Sequence, residues 1–178
     1  IGESGATSLE ELVESTADGD DVARMKLARV MLNKMGEYAL ALAVARGELR
    51  LAEAGGEGRV DAMYEAGSLA LQDKKYDEAE PLLAGARDAS TRELGEEHEK
   101  TLKAANALAV VFDETGRTEE AEALFRATYD ARKKKLGEDH PYTLQSANNL
   151  AALLKNTGRT EEAEALLRAT YDARKKKL

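Results

Sequence analysis

The amino-acid sequence predicts an all-α protein, an α-solenoid of stacked antiparallel helix hairpins. Three observations carry this. A segment of 21 residues recurs at a spacing of 42: Gly116–Leu136 overlays Gly158–Leu178 and differs only where Phe125 faces Leu167. Alanine, leucine, glutamate, lysine and arginine dominate, with two prolines, six tyrosines, two phenylalanines and no tryptophan, a composition that favours helices over strands. Apolar residues recur at helical spacing, as in Leu144, Ala147, Leu150, Ala151 and Leu154. One hairpin cannot bury two such stripes. A stack of them can, which is why these units come in arrays.

The repeat extends upstream of the near-identical copies. Leu94-Gly95-Glu96-Glu97-His98 corresponds to Leu136-Gly137-Glu138-Asp139-His140, and Lys75–Glu80 lies 42 residues before Arg117–Glu122. An earlier copy around Gly36, Tyr38 and Ala41 precedes the next by 38 residues. The expected organisation is a lead-in over 1–19 and an array of about four helix pairs over 20–178, at 20–54, 59–94, 98–136 and 140–178.

Local chemistry places each helix. Ser8 and Glu11 form a capping box for a short helix over Leu9–Ser15. Further helices are expected at Asp20–Met35, Tyr38–Glu53, Arg59–Asp73, Asp77–Leu94, Glu99–Thr115, Glu119–Leu136, Pro141–Thr157 and Glu161–Leu178. Gly36, Gly116 and Gly158 follow the first helix of their pairs, where a left-handed residue closes the turn. Thr118 and Thr160 are the expected N-caps, and Pro141 suits a first turn that needs no donor. Pro81, four residues into its helix, predicts a late start or a kink.

Several function classes are disfavoured. A net charge of −8 opposes nucleic-acid binding, which needs a clustered basic surface. No apolar run approaches the roughly 18 residues of a bilayer span, so no membrane insertion is expected. The absence of cysteine removes thiol chemistry and disulfides. Gly55-Gly56-Glu57-Gly58 lacks the Lys-Ser/Thr of a phosphate loop and reads as a connection between repeats. His98 and His140 occupy equivalent positions one repeat apart, too far to share a metal, and read as loop and helix-start residues. No catalytic residue, metal ligand or cofactor site is expected. Lys133–Lys135 and Lys175–Lys177 end helices that begin with acids, so they complement the helix dipole; Arg132 and Lys133 lie within surface reach of Tyr129 and Asp130.

At particular residues the chain resembles a known family. Leu150-Ala151, Leu154, Gly158, Ala163 and Leu167 look like the tetratricopeptide repeat, as do Leu108-Ala109, Phe112, Gly116, Ala121 and Phe125, and Ala66-Gly67, Ala70, Tyr76, Ala79 and Leu83. The longer period, the Leu-Gly-Glu-Asp-His-Pro connection and Asn-Asn-Leu-Ala in a first helix resemble the kinesin-light-chain-like subgroup. In the first unit Arg29 falls where the pattern wants a small residue.

The resemblance implies that the α-solenoid is right-handed, a TPR-like superhelix that serves as a non-catalytic protein–protein interaction scaffold or adaptor. It also implies that the first helix of each pair lines a concave groove. Carried over residue by residue, the groove would present Lys26, Val30 and Asn33; Asp61, Tyr64 and Ser68; Lys103, Asn106 and Val110; and Gln145, Asn148 and Lys155. Asparagines can both donate to and accept from an extended peptide backbone, and the lysines suit acidic groups, so the expected partner is a protein or peptide with acidic or polar character. Asp113 and Glu114 work against a positive field there. The alternatives are an architectural subunit docked by its convex face or ends in a larger assembly, or a regulatory array of a longer multidomain protein. The scarcity of aromatic anchors leans toward the architectural one. The chain begins at Ile1 and stops at Leu178 in mid-motif, so a longer chain or a larger complex is expected, in the cytoplasm or an organelle interior.

Overall fold

The computed structural model describes residues 21–55 and 58–175. Among these residues there are eight helices and no strand: α1 (Asp21–Lys34), α2 (Tyr38–Gly55), α3 (Arg59–Gln72), α4 (Tyr76–Leu94), α5 (Glu99–Glu114), α6 (Thr118–Leu136), α7 (Pro141–Asn156) and α8 (Thr160–Lys175). The helix expected at Leu9–Ser15 lies outside the described residues, as do Gly56 and Glu57. The chain divides into two compact units between Leu82 and Leu83, inside α4.

The turn within each pair is closed by one device. Gly116 adopts φ 79°; its N–H bonds to Asp113 O at 3.1 Å and that of Arg117 to Phe112 O at 2.8 Å. Gly158 and Gly36 repeat this, at φ 80° each, so the last carbonyls of the first helix are satisfied and the chain reverses within three residues. The same bonds occur after α3, but there Lys74 carries the left-handed conformation, φ 57°.

Between pairs, His98 and His140 are the N-caps of α5 and α7. Their Nδ1 atoms accept from the N–H groups of Lys100 and Tyr142, at 3.2 Å each. Two expectations about helix starts need correction. Thr118 and Thr160 are the first helical residues and not caps; Arg117 holds the cap position of α6 without a side-chain bond. Helix α4 starts at Tyr76 and runs through Pro81, so it does not start late.

In the first unit the core is Met25, Ala28 and Leu32 from α1, Ala41, Leu42, Val44 and Ala45 from α2, and Ala62, Ala66, Leu69 and Ala70 from α3. Helix α2 packs against both α1 and α3. In the second unit, α5, α6, α7 and α8 pack in succession, and α5 also touches α7. Leu108, Ala109, Val111, Phe125, Leu150, Leu153 and Leu154 are at most 2% exposed and fill the seams. Alanines 41, 66, 70, 79, 109, 121 and 163 are fully covered, which allows the close helix approach these hairpins need. The fold is thus an all-α array of hairpins, as the periodicity requires.

Candidate binding surface

The positions expected to face a groove fall on α1, α3, α5 and α7, the first helix of each pair. In the first unit Lys26 is exposed, Asn33, Tyr64 and Ser68 are half-buried, and Asp61 and Val30 are exposed. Lys26 and Asp61 line one cavity of about 410 Å³ together with Arg29, Glu48 and Glu65. The Oγ of Ser68 is buried without a hydrogen-bond partner among the described residues.

In the second unit Gln145, Asn148 and Lys155 are exposed along α7. Gln145 and Asn148 line a notch of about 450 Å³ with Asp139, Pro141, Leu144 and Asn149. On the adjacent first helix Lys103 and Val110 are half-buried. The Lys103 ammonium lies over the Tyr142 ring, 5.0 Å from its centroid, a cation–π contact. Asn106 is 8% exposed, and its Oδ1 accepts from Asn149 Nδ2 at 3.2 Å. This asparagine therefore spends one acceptor joining α5 to α7, while Asn148, one repeat on, faces solvent. Asp113 has its carboxyl pushed above the usual range by burial and by Glu114.

The sequence missed the residues that hold these helices in place. Arg132, read as a surface partner of its neighbours, is 1% exposed. Its Nη2 donates to Glu99 Oε1 at 2.8 Å, and its Nη1 to Ser146 Oγ at 2.8 Å and Tyr142 O at 3.3 Å, joining α5, α6 and α7. The Tyr142 ring meets both cations, with the guanidinium carbon 5.4 Å and the Lys103 ammonium 5.0 Å from its centroid. The lysines after it are tied down by groups the sequence did not point to: Lys133 pairs with Glu138, Lys134 with Glu97, and Lys135 donates to Glu97 O. In the first unit Arg29 is also buried, against Glu48 and Glu65.

Residues 58–134 and 119–176 match the tetratricopeptide repeat family. The chain belongs to that family. No curated protein matches it. Among solved structures, a kinesin-light-chain-like protein of Podosopora anserina with nearly identical TPR-like repeats superposes with a TM-score of 0.79 at 21% identity, over 95% of this chain and 84% of the other. BtubC (BKLC) from P. vanneervenii gives 0.76 at 19%, over 96% and 72%. MamA from Desulfovibrio magneticus RS-1 gives 0.71 at 16%, over 98% and 88%. At these identities the likeness shows the fold alone. Tetratricopeptide repeats are in general protein-interaction scaffolds and typically lack catalysis. Among the described residues no helix is long and apolar enough to cross a membrane, and no group of three His, Asp or Glu side chains is placed to hold a metal ion.

Proposed function

We propose that this tetratricopeptide array is an adaptor that holds an extended segment of a partner protein along its first helices. The observation that supports it most is the polar row on α7. Gln145, Asn148 and Lys155 are exposed on one helix, and the first two share a notch with Asn149. Amide side chains in a notch can meet backbone N–H and C=O groups of an extended chain at once. Lys155, with Lys103 on the neighbouring helix, suits carboxylates of the same segment. Lys26, Asn33 and Tyr64 are the corresponding candidates on the first helices of the first unit, and within the second unit Asn106 supports the row through its bond to Asn149.

Photo-crosslinking in the native extract tests the reading. A benzophenone amino acid at position 148 is compared with one at Glu164, an exposed residue of a second helix. Partner crosslinks from position 148 that vanish on changing Gln145 and Lys155 to Ala are expected. Equal crosslinking from both positions, or capture unaffected by those changes, removes the groove as the binding surface.

A further inference from the structure

A second cavity lies away from the polar row. It is about 580 Å³ and belongs wholly to the second unit, between the end of α4, the start of α5 and the face of α6. Its buried floor is Leu102 and Ala105 of α5 with the methyl-bearing Thr101 and Thr128 beside them, and the half-buried Leu124 and Ala131 and the exposed Ala127 of α6 add an apolar wall. On α5 these residues alternate with Lys103 and Asn106, so the cavity opens on a different face of that helix from the proposed groove.

Its rim is charged and unbalanced. Arg87 pairs with Asp88 at 2.7 Å and Lys134 with Glu97 at 2.8 Å, so both rim cations are taken up. Glu96 and Asp130, both exposed, remain as the excess negative charge.

The lining of the cavity differs from the equivalent positions of the next repeat. Arg87 and Thr91 line it, and 42 residues later Tyr129 and Lys133 stand in their places. Tyr129 is 8% exposed, the Lys133 ammonium lies 5.8 Å from its ring centroid, and Lys133 pairs with Glu138. A buried ring thus stands in one repeat where a half-buried arginine borders the cavity in the other, and a lysine where a threonine does.

We infer that this cavity is a second docking site, and that it takes a basic, amphipathic segment of a partner protein, an aliphatic side chain on the floor flanked by lysine or arginine at Glu96 and Asp130. The apolar floor rewards burial of an aliphatic group. The rim excess sets the sign of the flanking charge, opposite to that proposed for the groove. The array would then bind two segments of opposite charge on two faces.

The test titrates the chain with a dye-labelled peptide of alternating lysine and leucine, read by fluorescence anisotropy, with alternating glutamate and leucine as control. Salt near 0.15 M screens the attraction due to net charge alone. The decisive variant is Arg87→Tyr with Thr91→Lys, which installs the residues of the following repeat at the cavity and should leave the helical signal unchanged. Binding of the basic probe should weaken about tenfold in this variant and in Glu96→Gln/Asp130→Asn. Amide shifts on binding should map to the cavity. Asn148→Ala should leave binding unchanged, which separates this site from the groove. Equal affinity for the Arg87→Tyr/Thr91→Lys variant and the parent chain, or shifts spread over all acidic helix starts, would overturn the proposal.

Discussion

Arg29 donates its Nε to both carboxylate oxygens of Glu48, at 3.2 and 3.1 Å, and both residues are more than nine-tenths buried. The equivalent positions in the next repeat are Gly67 and Ala86, both buried. A buried ion pair thus replaces a pair of small residues, and Glu65 takes Nη1 at 2.7 Å. This is how the array tolerates an arginine where its pattern wants a small side chain. Removing one partner strands the other charge. Arg29→Ala should cost about 3–5 kcal/mol in the first unit. Arg29→Ala with Glu48→Ala should cost clearly less than the sum of the two single changes. A double-mutant cycle by denaturant unfolding, with hydrogen exchange to localise the loss, checks both; additive costs would show that the pair is not coupled.

Opposed carboxyl shifts give a pH signature. Glu122 accepts from Arg126 at 2.8 Å and from Arg159 at 2.7 Å, and these bonds hold its carboxyl below the ordinary 4.5. Its stabilisation is present above the unfolded value and lost as pH falls through the lowered folded value. Glu48 runs the other way. Burial raises its carboxyl, against the pull of Arg29, so acidification relieves its cost as pH falls through the raised folded value toward 4.5. Glu122→Gln should therefore lower the second unit's stability at neutral pH by about 1 kcal/mol or less and flatten its decline below pH 4.5. Glu48→Gln should remove a gain that the first unit makes on acidification. Hydrogen exchange at several pH values reads the two units separately.

Lys74 sits at φ 57° in the turn that Gly36, Gly116 and Gly158 close elsewhere. A side chain there carries the left-handed penalty of roughly 1 kcal/mol. Lys74→Gly should stabilise by about that amount. Gly116→Ala should cost a similar amount with no packing term, because a Cβ at Gly116 meets nothing within 4 Å. Thermal midpoints of the two variants should move in opposite directions; a drop for Lys74→Gly would mean that the lysine side chain outweighs its backbone strain.

Most helix limits were legible because glycine, proline and histidine punctuate the repeat. Gly116 and Gly158 must be left-handed, and His98 and His140 end their loops as caps. Thr118 misled because threonine is a good cap in general, whereas here the chain enters the helix one residue earlier, at Arg117. The candidate surface was less legible. Periodicity assigns Asn106 and Asn148 to equivalent places, but the bond forms between Asn106 and Asn149, a matter of how neighbouring hairpins offset. Arg132 did carry a signal. It continues the buried stripe of Ala121, Phe125, Thr128 and Tyr129 at helical spacing. The three lysines after it drew it into a charged run.

Arg132 yields the sharpest test of how the second unit is held. Its guanidinium reaches Glu99 on α5 and Ser146 on α7 from a site with 1% exposure, and its Nε has no partner. Three consequences follow from that geometry. Arg132→Ala leaves a cavity and strips Glu99 and Ser146 of their donor, and should cost at least about 3 kcal/mol. Arg132→Lys keeps the charge but loses the fork that reaches two helices, so it should recover little. Arg132→Met refills the volume and removes the unpaired Nε; Ser146 Oγ still donates to Tyr142 O at 3.2 Å, so this change should cost about half as much as the alanine. In each variant the loss should appear as faster amide exchange in α5–α7, with α1–α3 unchanged as the internal reference. If lysine restored full protection, net charge and not the two-helix reach would be what the site requires.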